Sequence, residues 1–434
     1  MKIFKLLKGY FFYKKSQFWS KKRIEKYQDQ KLIKLVQHAA ENVPYYRELF
    51  KQIGFDASTF TGRADMYKIP LLDKDTVRNR HKEFIAENSK NFGINYDSTS
   101  GSTGTPLKLI IDDATETTKL TCLVRSYFWA GYRLRKKSFG LQSYLKKNFP
   151  KDSGLIFSRS KNVYRFDSNN LNQESAIRIA KELNVVKPKF YFGYPLPLMM
   201  LGKFALENGI ELHSPESIIV YGETLSKARR TILENYYKAK IYDFYSLHEC
   251  SAIISDCAHG NRHWMEDLAY NEVIDHEGNT LLEGSGELVG TNLYNYAMPL
   301  IRYKIRDYVT IANENKKCEC GRKFRIVEEI IGRQNDYFET PDGRVLGNVM
   351  EHSIDKAIGV ILSQAVQDKI DHIYVNLVVD NTFDPELSFK NIETAMRKRI
   401  GNDIQLEFRI VQELEKTKGG KTPFILSKIG NNYL

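Results

Sequence analysis

The sequence predicts two units in series: a large N-terminal layered α/β domain and a small α+β C-terminal domain. Three observations predict this. The chain has 434 residues, enough for two to four domains at roughly 100–200 residues each. Helical and strand patterns alternate to about residue 330, as they do where helices layer a sheet. The texture then changes near "GRQND" (Gly332 to Asp336), and the rest of the chain carries strands and helices of its own. The expected divisions are 1–23, 24–332 and 333–434.

The elements follow in order. "MKIFKLLKGYFFYKK" spaces Ile3, Phe4, Leu6, Leu7, Tyr10 and Phe11 near helical periodicity with lysines between, an amphipathic helix with a basic face. Such a helix suits an anionic membrane surface or packs on the body with its lysines in solvent. A second helical region runs from Ile24 to about Glu41, and "NVPYYRELF" reads as a turn at Val43-Pro44 leading into a new helix. "KIPLLDKDTVRNR" reads as a helix capped by Asp73. "LKLIIDD", "SIIVYGETL" and "KIYDFYSLHE" each contain an apolar strand; the last two carry a Glu just past the strand, where open α/β sheets place ligands. In the last hundred residues a helix is expected near Val349 to Ala357. Strands are expected at "HIYVNLVVD" and "IQLEFRIV", with a helix between them near Glu386 to Arg399.

The totals exclude several classes. No apolar run approaches the ~20 residues of a membrane span. No secretory signal pattern is present, so a cytoplasmic protein is expected, with peripheral contact at the inner membrane face through the basic helix. The net charge is +12, but eleven Lys/Arg and two acids between Met1 and Leu35 supply +9 of it. A near-neutral body with a basic arm is not expected to bind nucleic acid. Five cysteines in a long chain without an export signal argue against a disulfide framework.

The stretch "TSGSTGTPLKL" (Thr99 to Leu109) is the most informative. Backbone N–H groups in a Gly/Ser/Thr-rich turn form a concave anion site, and Gly101 and Gly104 allow close backbone approach. The hydroxyls of Thr99, Ser100, Ser102, Thr103 and Thr105 add donors. The GxxxxGK[ST] spacing of a Walker A loop is absent.

This stretch resembles the phosphate loop of adenylate-forming enzymes, and more narrowly that of the phenylacetate–CoA ligase group and its CapK-type capsular-polysaccharide relatives. Other pieces agree in order. "YGETL" resembles the adenine-side turn, "YSLHE" the Tyr-x-x-x-Glu motif, and "PLIRYKIRD" the ribose motif. "GRQND" resembles the hinge and "GGK" (Gly419 to Lys421) the C-terminal lysine loop. The resemblance spans roughly residues 25 to 430.

It implies an adenylation reaction, carboxylate plus ATP giving acyl-AMP and pyrophosphate, with roles residue by residue. Thr99 to Thr105 would hold the β and γ phosphates, and Glu249 would hold Mg²⁺. Gly222 and Glu223 would line the adenine slot, with Tyr245 as a stacking face or core aromatic. Asp307 would accept from the ribose hydroxyls, with Arg302 beside it, and Arg333 would contact the ribose. Asn335 and Asp336 would be the hinge about which the small domain rotates, bringing Lys421 to the α-phosphate. The family pattern Tyr-Gly-x-Ser/Thr-Glu is broken here by Ser246 and His248, and His248 is expected to bind the acyl group or α-phosphate. "YFGYPLP" (Tyr191 to Pro197) offers aromatic walls for an acyl pocket, or core.

The cysteines raise a metal question. "CAHGNRH" (Cys257 to His263) precedes "CECG" (Cys318 to Gly321). Thiolates two apart before a glycine make a tight knuckle, and adding Cys257 and His263 to Cys318 and Cys320 gives a Cys₃His set suited to structural Zn²⁺. His259 is an alternative to His263, and Cys122 and Cys250 read as packing.

The leading expectation is an ATP-dependent ligase whose acceptor is a sugar amine, lipid-linked in a surface-polysaccharide setting. The rivals are a phenylacetate-type acyl-CoA ligase, with CoA as acceptor, and a non-catalytic membrane-associated binding protein on the same fold.

Overall fold

The computed structural model describes residues 2–98, 107–142, 154–225, 227–333, 337–339, 341, 345–347, 357–415 and 425–429. The chain opens with α1 (Lys2–Ser16), α2 (Lys21–Asn42), α3 (Pro44–Gln52) and α4 (Lys74–Asn79). It continues with β1 (Ile94–Ser98), β2 (Lys108–Asp112), α5 (Asp113–Trp129), β3 (Ser138–Gln142), β4 (Ile156–Ser158) and β5 (Val163–Asp167). Next come α6 (Gln173–Val186), β6 (Phe190–Gly193), α7 (Pro195–Glu207), β7 (Ser217–Tyr221), α8 (Lys227–Tyr237) and β8 (Lys240–Ser246). The strands β9 (Ile253–Asp256), β10 (Arg262–Trp264), β11 (Ala269–Ile274), β12 (Gly284–Asn292), β13 (Tyr303–Ile311) and β14 (Ile326–Arg333) follow. The remainder holds β15 (Tyr337–Glu339), β16 (Val345–Gly347), β17 (Val360–Lys369), β18 (His372–Val379), α9 (Pro385–Ile400), β19 (Gln405–Ile410) and β20 (Ile425–Ser427).

Twelve strands form one mixed sheet in the order β11-β12-β13-β14-β10-β9-β8-β7-β6-β3-β5-β4. Strands β8, β7, β6, β3 and β5 are parallel, and α6, α7 and α8 make the crossovers from β5 to β6, β6 to β7 and β7 to β8. Their apolar runs are buried: Phe139, Leu141, Tyr191, Ile218, Val220 and Ile241 pack with Ile179, Leu183, Leu198, Leu201 and Leu233 of α6, α7 and α8. Two-sided burial of this kind is what parallel sheets require. Beyond β8 every pairing is antiparallel. This is the layered α/β class the sequence predicts.

Local signals behave as read. Asp73 caps α4, its Oδ1 accepting from the N–H groups of Asp75 (2.9 Å) and Thr76 (2.8 Å). The expected strands appear as β2, β7, β8, β18 and β19, and the expected late helix as α9. The helix expected near Val349 to Ala357 lies, apart from its last residue, outside the described residues.

The end of α1 is docked. Tyr13 and Ser16 are buried, and Ser16 Oγ donates to Asp267 Oδ2 at 2.5 Å. The same carboxylate takes a two-pronged ion pair from the buried Arg125 of α5 (2.6 and 2.9 Å), and Arg125 also donates to the Tyr13 carbonyl (2.9 Å). Phe11, Lys14, Lys15 and Phe18 remain exposed. Among the described residues no helix is long and apolar enough to cross a membrane.

The C-terminal part builds a four-stranded sheet, β19-β18-β17-β20, with α9. Its core is separate: Phe338, Ala365, Ile373, Val375 and Leu377 with Ile392, Met396 and Ile400.

Candidate functional site

The parallel strands aim their C-terminal ends at one edge of the sheet, and Gly222, Glu223, Tyr245, His248 and Glu249 stand at or just past the ends of β7 and β8. After β7, Gly222 adopts φ +79°, and a Cβ at this position would lie 2.8 Å from the Tyr194 ring, so glycine is required twice over. Glu223 turns back so that Oε2 accepts from the Leu196 N–H (3.0 Å), supplying the acceptor that the start of α7 otherwise lacks. Tyr191 and Leu198 belong to the core, whereas Tyr194 stands against Tyr221 with ring centroids 5.8 Å apart.

After β8 the chain turns through Leu247 to Cys250. Cys250 takes a left-handed φ of +56°, and the Asn292 side chain fixes its carbonyl at 2.7 Å. This turn presents His248 and Glu249. His248 is half-exposed, with Nδ1 3.1 Å from Asp97 Oδ2 on β1. Glu249 is buried and accepts from the Tyr303 hydroxyl at 3.4 Å. Burial, then the Glu249 charge, holds the Tyr303 hydroxyl far above its ordinary pKa, so it stays a proton donor to that carboxylate.

Strand β13 supplies the opposite wall. Its register against β12 jumps from Val289↔Lys304 to Glu287↔Tyr308, so Ile305, Arg306 and Asp307 bulge opposite the single Leu288. Bulges re-aim side chains. Here Asp307 is buried and accepts from the Tyr245 hydroxyl at 2.5 Å. Tyr245 is therefore a hydrogen-bonding partner as well as a ring. The backbone of Arg333, at the end of β14, pairs with Asp307.

Arg302 does not stand beside Asp307. It forms a buried two-pronged ion pair with Glu272 (3.0 and 2.8 Å) and donates to the Ile69 carbonyl (2.8 Å). The sequence shows an Arg and an Asp five apart; the left-handed backbone at Arg302 and the bulge that re-aims Asp307 send the two side chains to different partners.

Thr99, Ser100, Gly101, Ser102, Thr103, Gly104 and Thr105 lie outside the described residues, as do Asn335, Asp336 and Lys421. The strands that flank the glycine-rich stretch are described: β1 ends and β2 begins in register, Ser98 opposite Lys108. Asp97 and Tyr303 were not singled out from the sequence. Asp97 stands two residues before that stretch, and Tyr303 lies inside the "PLIRYKIRD" motif; those positions were the available signals.

A second cluster lies elsewhere on the same sheet. Cys257, His263, Cys318 and Cys320 hold their donor atoms within 4.8 Å of one another. Cys257 Sγ is 3.6 Å from Cys318 Sγ, and Cys320 Sγ is 3.2 Å from His263 Nε2. His263 Nδ1 faces the Phe324 carbonyl at 3.3 Å, which assigns it the proton and leaves Nε2 for a ligand. His259 points to Glu319 on the surface instead (3.3 Å), which settles the alternative in favour of His263. Burial pushes the Cys257 thiol up to about 12 and the His263 imidazolium down to about 4. Burial opposes ionisation of Cys318 too, but hydrogen bonds from Cys320 and Asn261 outweigh it and its pKa lies below the usual thiol value. Three thiols and an imidazole in a closed, largely buried set fit a tetrahedral zinc ion.

Residues 338–428 match the family described as the CapK C-terminal domain. The chain is 25% identical over 409 residues to Protein CapK of Staphylococcus aureus, covering 93% of this chain and 89% of that protein. It is 27% identical over 316 residues to the phenylacetate-coenzyme A ligase of Aromatoleum evansii, covering 69% of this chain and 68% of that enzyme. The fold matches that of a 2-hydroxyisobutyryl-CoA ligase solved in its postadenylation state with R3-HIB-AMP, at a TM-score of 0.76 and 16% identity, over 95% of this chain and 91% of that one. The chain is thus similar in sequence to a CapK protein and to phenylacetate–CoA ligases, and it shares the fold of a 2-hydroxyisobutyryl-CoA ligase.

Proposed function

We propose that this adenylate-forming-superfamily chain is an ATP-dependent ligase that activates a carboxylic acid as acyl-AMP, releases pyrophosphate and passes the acyl group to an acceptor. The observation that carries the reading is the pair of tyrosine–carboxylate contacts, Tyr245–Asp307 and Tyr303–Glu249, at the strand ends. Each holds a carboxylate where an open α/β sheet receives its ligand. The likeness to ligases named for acyl-CoA formation supports it.

In this reading Asp307 accepts from the ribose hydroxyls, with Tyr245 fixing the carboxylate. Glu249 holds Mg²⁺, which uses one or two protein carboxylates and supplies charge neutralisation at the phosphates. Tyr303 orients Glu249. His248, held by Asp97, faces the acyl carboxylate or α-phosphate. Gly222 and Glu223 bound the adenine slot, and the Thr99–Thr105 stretch takes the β and γ phosphates. Lys421 and the joint at Asn335 and Asp336 belong to the same proposal, the joint dividing 24–332 from 333–434. At Cys257, His263, Cys318 and Cys320 we place a structural zinc ion. The exposed Phe11, Lys14, Lys15 and Phe18 suit contact with an anionic bilayer face.

The acceptor separates two versions. The match of residues 338–428 to the CapK C-terminal domain favours a surface-polysaccharide setting and a sugar amine. The relatives named as coenzyme A ligases favour CoA. The test is pyrophosphate release by purified protein across a panel of acids that includes amino acids, with hydroxylamine to trap acyl-AMP. Release with at least one acid is expected. CoA that speeds AMP release for that acid selects the thioester version, and CoA without effect selects the amine. No pyrophosphate release with any acid, from protein that binds MgATP, favours the non-catalytic alternative.

A further inference from the structure

Three residues outside the reading above converge beside it. The segment before α4 is stitched to β13: the Leu72 N–H donates to the Arg302 carbonyl (2.9 Å) and the Lys304 N–H to the Leu72 carbonyl (2.8 Å), on either side of the buried Tyr303. That stitching delivers α4 to the bulge in β13. There Arg306, at a left-handed φ of +66°, donates Nη2 to Asp75 Oδ2 at 2.6 Å. Asp75 Oδ1 takes Arg78 Nη1 on the same carboxylate. One acid thus bridges two guanidinium groups, each between a quarter and a third exposed.

A non-glycine residue at positive φ is strained and persists where the surroundings over-determine it, most often at functional sites. Arg306 bears that strain immediately before Asp307. Both guanidinium charges reach the Tyr303 hydroxyl: after burial and the Glu249 contact, Arg306 and Arg78 are the groups that oppose the rise in its pKa. Tyr303 is in turn on Glu249. Arg306 and Arg78 thus lie within charge range of the Tyr303 hydroxyl, which touches the carboxylate assigned to Mg²⁺, and Arg306 directly precedes the carboxylate assigned to the ribose. Each guanidinium carries five N–H donors in a planar fork. Arginine forks match phosphate oxygens in geometry and charge.

We infer that Arg306 and Arg78 bind the phosphate chain of a nucleoside triphosphate, and that Asp75 is a positioning residue that sets the two guanidinium groups at a fixed separation. This rests on the adenylation reading and adds its cationic side from residues of α4 and β13. A purely structural Asp75 bridge would also tie α4 to β13, so the test must separate phosphate binding from fold.

Calorimetric binding of MgATP and of adenosine, without any acid, does so for the wild type, Arg306→Gln, Arg306→Lys, Arg78→Gln and Asp75→Asn. Loss of one charge-assisted contact is expected to weaken MgATP about tenfold or more in Arg306→Gln and Arg78→Gln, with adenosine unchanged. Arg306→Lys is expected to recover part of the loss, and Asp75→Asn to weaken MgATP a few fold. If Arg306→Gln shows no cooperative thermal transition, Arg78→Gln, at a partly exposed position of the short helix α4, decides. MgATP affinity within about twofold of wild type in both Gln variants overturns the phosphate seat and leaves adenylation standing. A parallel fall for adenosine and MgATP assigns the residues to structure and also overturns it. A wild type that binds neither ligand overturns adenylation and the seat together.

Discussion

The two clusters of chemistry lie at opposite ends of one antiparallel strand pair. β8 runs toward Tyr245 and the Glu249 turn, while β9 runs the other way and delivers Cys257. By register Cys257 lies level with Tyr242, three residues or roughly 10 Å along β8 from Tyr245, and the clusters share this scaffold without sharing a residue. The metal cluster is closed: two short windows, 257–263 and 318–320, supply every donor, and its donors are satisfied by one another, by Asn261 and by the Phe324 carbonyl. The strand-end group is open: β1, the turn after β8, α4 and the bulge of β13 each contribute separately, and half-exposed groups such as His248 remain. A group that holds one geometry permanently is closed; a group that admits and releases a ligand is assembled from parts that can separate.

The largest effect tests the closed end. Cys257→Ser is expected to remove bound zinc and to lower Tm by at least about 10 °C, since a structural metal contributes folding free energy directly. Metal analysis and thermal unfolding check this. Unchanged Tm with lost ligase activity would exchange the roles of the two ends. At the open end, Glu249→Gln is expected to leave Tm and zinc content unchanged while lowering the rate of pyrophosphate release roughly 10²–10³-fold. A fall in Tm comparable to that of Cys257→Ser would make Glu249 a structural acid.

The same contrast explains how much was legible in the sequence. The metal donors sit within short windows, so spacing alone grouped them, and only the choice between His259 and His263 needed coordinates. Helices and strands were legible because their periodicity and caps are local, as Asp73 on α4 shows. The motif residues Glu249 and Asp307 fell in the strand-end group, but their tyrosine partners depend on where β8 and β13 meet. Arg302 was misplaced because neither its left-handed backbone nor the bulge that re-aims Asp307 is visible in "RYKIRD", and its partner Glu272 lies 30 residues away. The Asp75 bridge joins positions 231 apart, and no periodicity encodes such a pair. The inner side of α1 was hidden for another reason: Ser16 and Gln17 are buried polar residues whose partners, Asp267 and Trp129, lie far along the chain.

A smaller effect sharpens the open end. Tyr245→Phe keeps the ring and removes the hydroxyl that donates to Asp307. The loss of a hydrogen bond to a charged group is expected to raise the KM for ATP about tenfold, with kcat changed far less. Equal falls in kcat and kcat/KM would move Tyr245 from holding the ribose acid to acting in the reaction step.

The smallest effect is a pH signature on the metal side that should leave the strand-end group untouched. Glu266 Oε2 accepts from the Arg325 N–H at 2.8 Å, one residue past the carbonyl that orients His263. Burial pushes its carboxyl up to about 7, above the ordinary value near 4.5. Because the folded state holds this proton more tightly than the unfolded chain, the associated stability is complete below about pH 4.5 and is lost as pH rises through about 7. Glu266→Gln keeps an acceptor for Arg325 and removes the titration. Its Tm is expected to match wild type near pH 5 and to exceed it by a few degrees at pH 8, while the pH profile of pyrophosphate release stays that of wild type. A shifted activity profile would mean that charge at the metal end is felt across β8 and β9, and the two ends would then be one coupled unit.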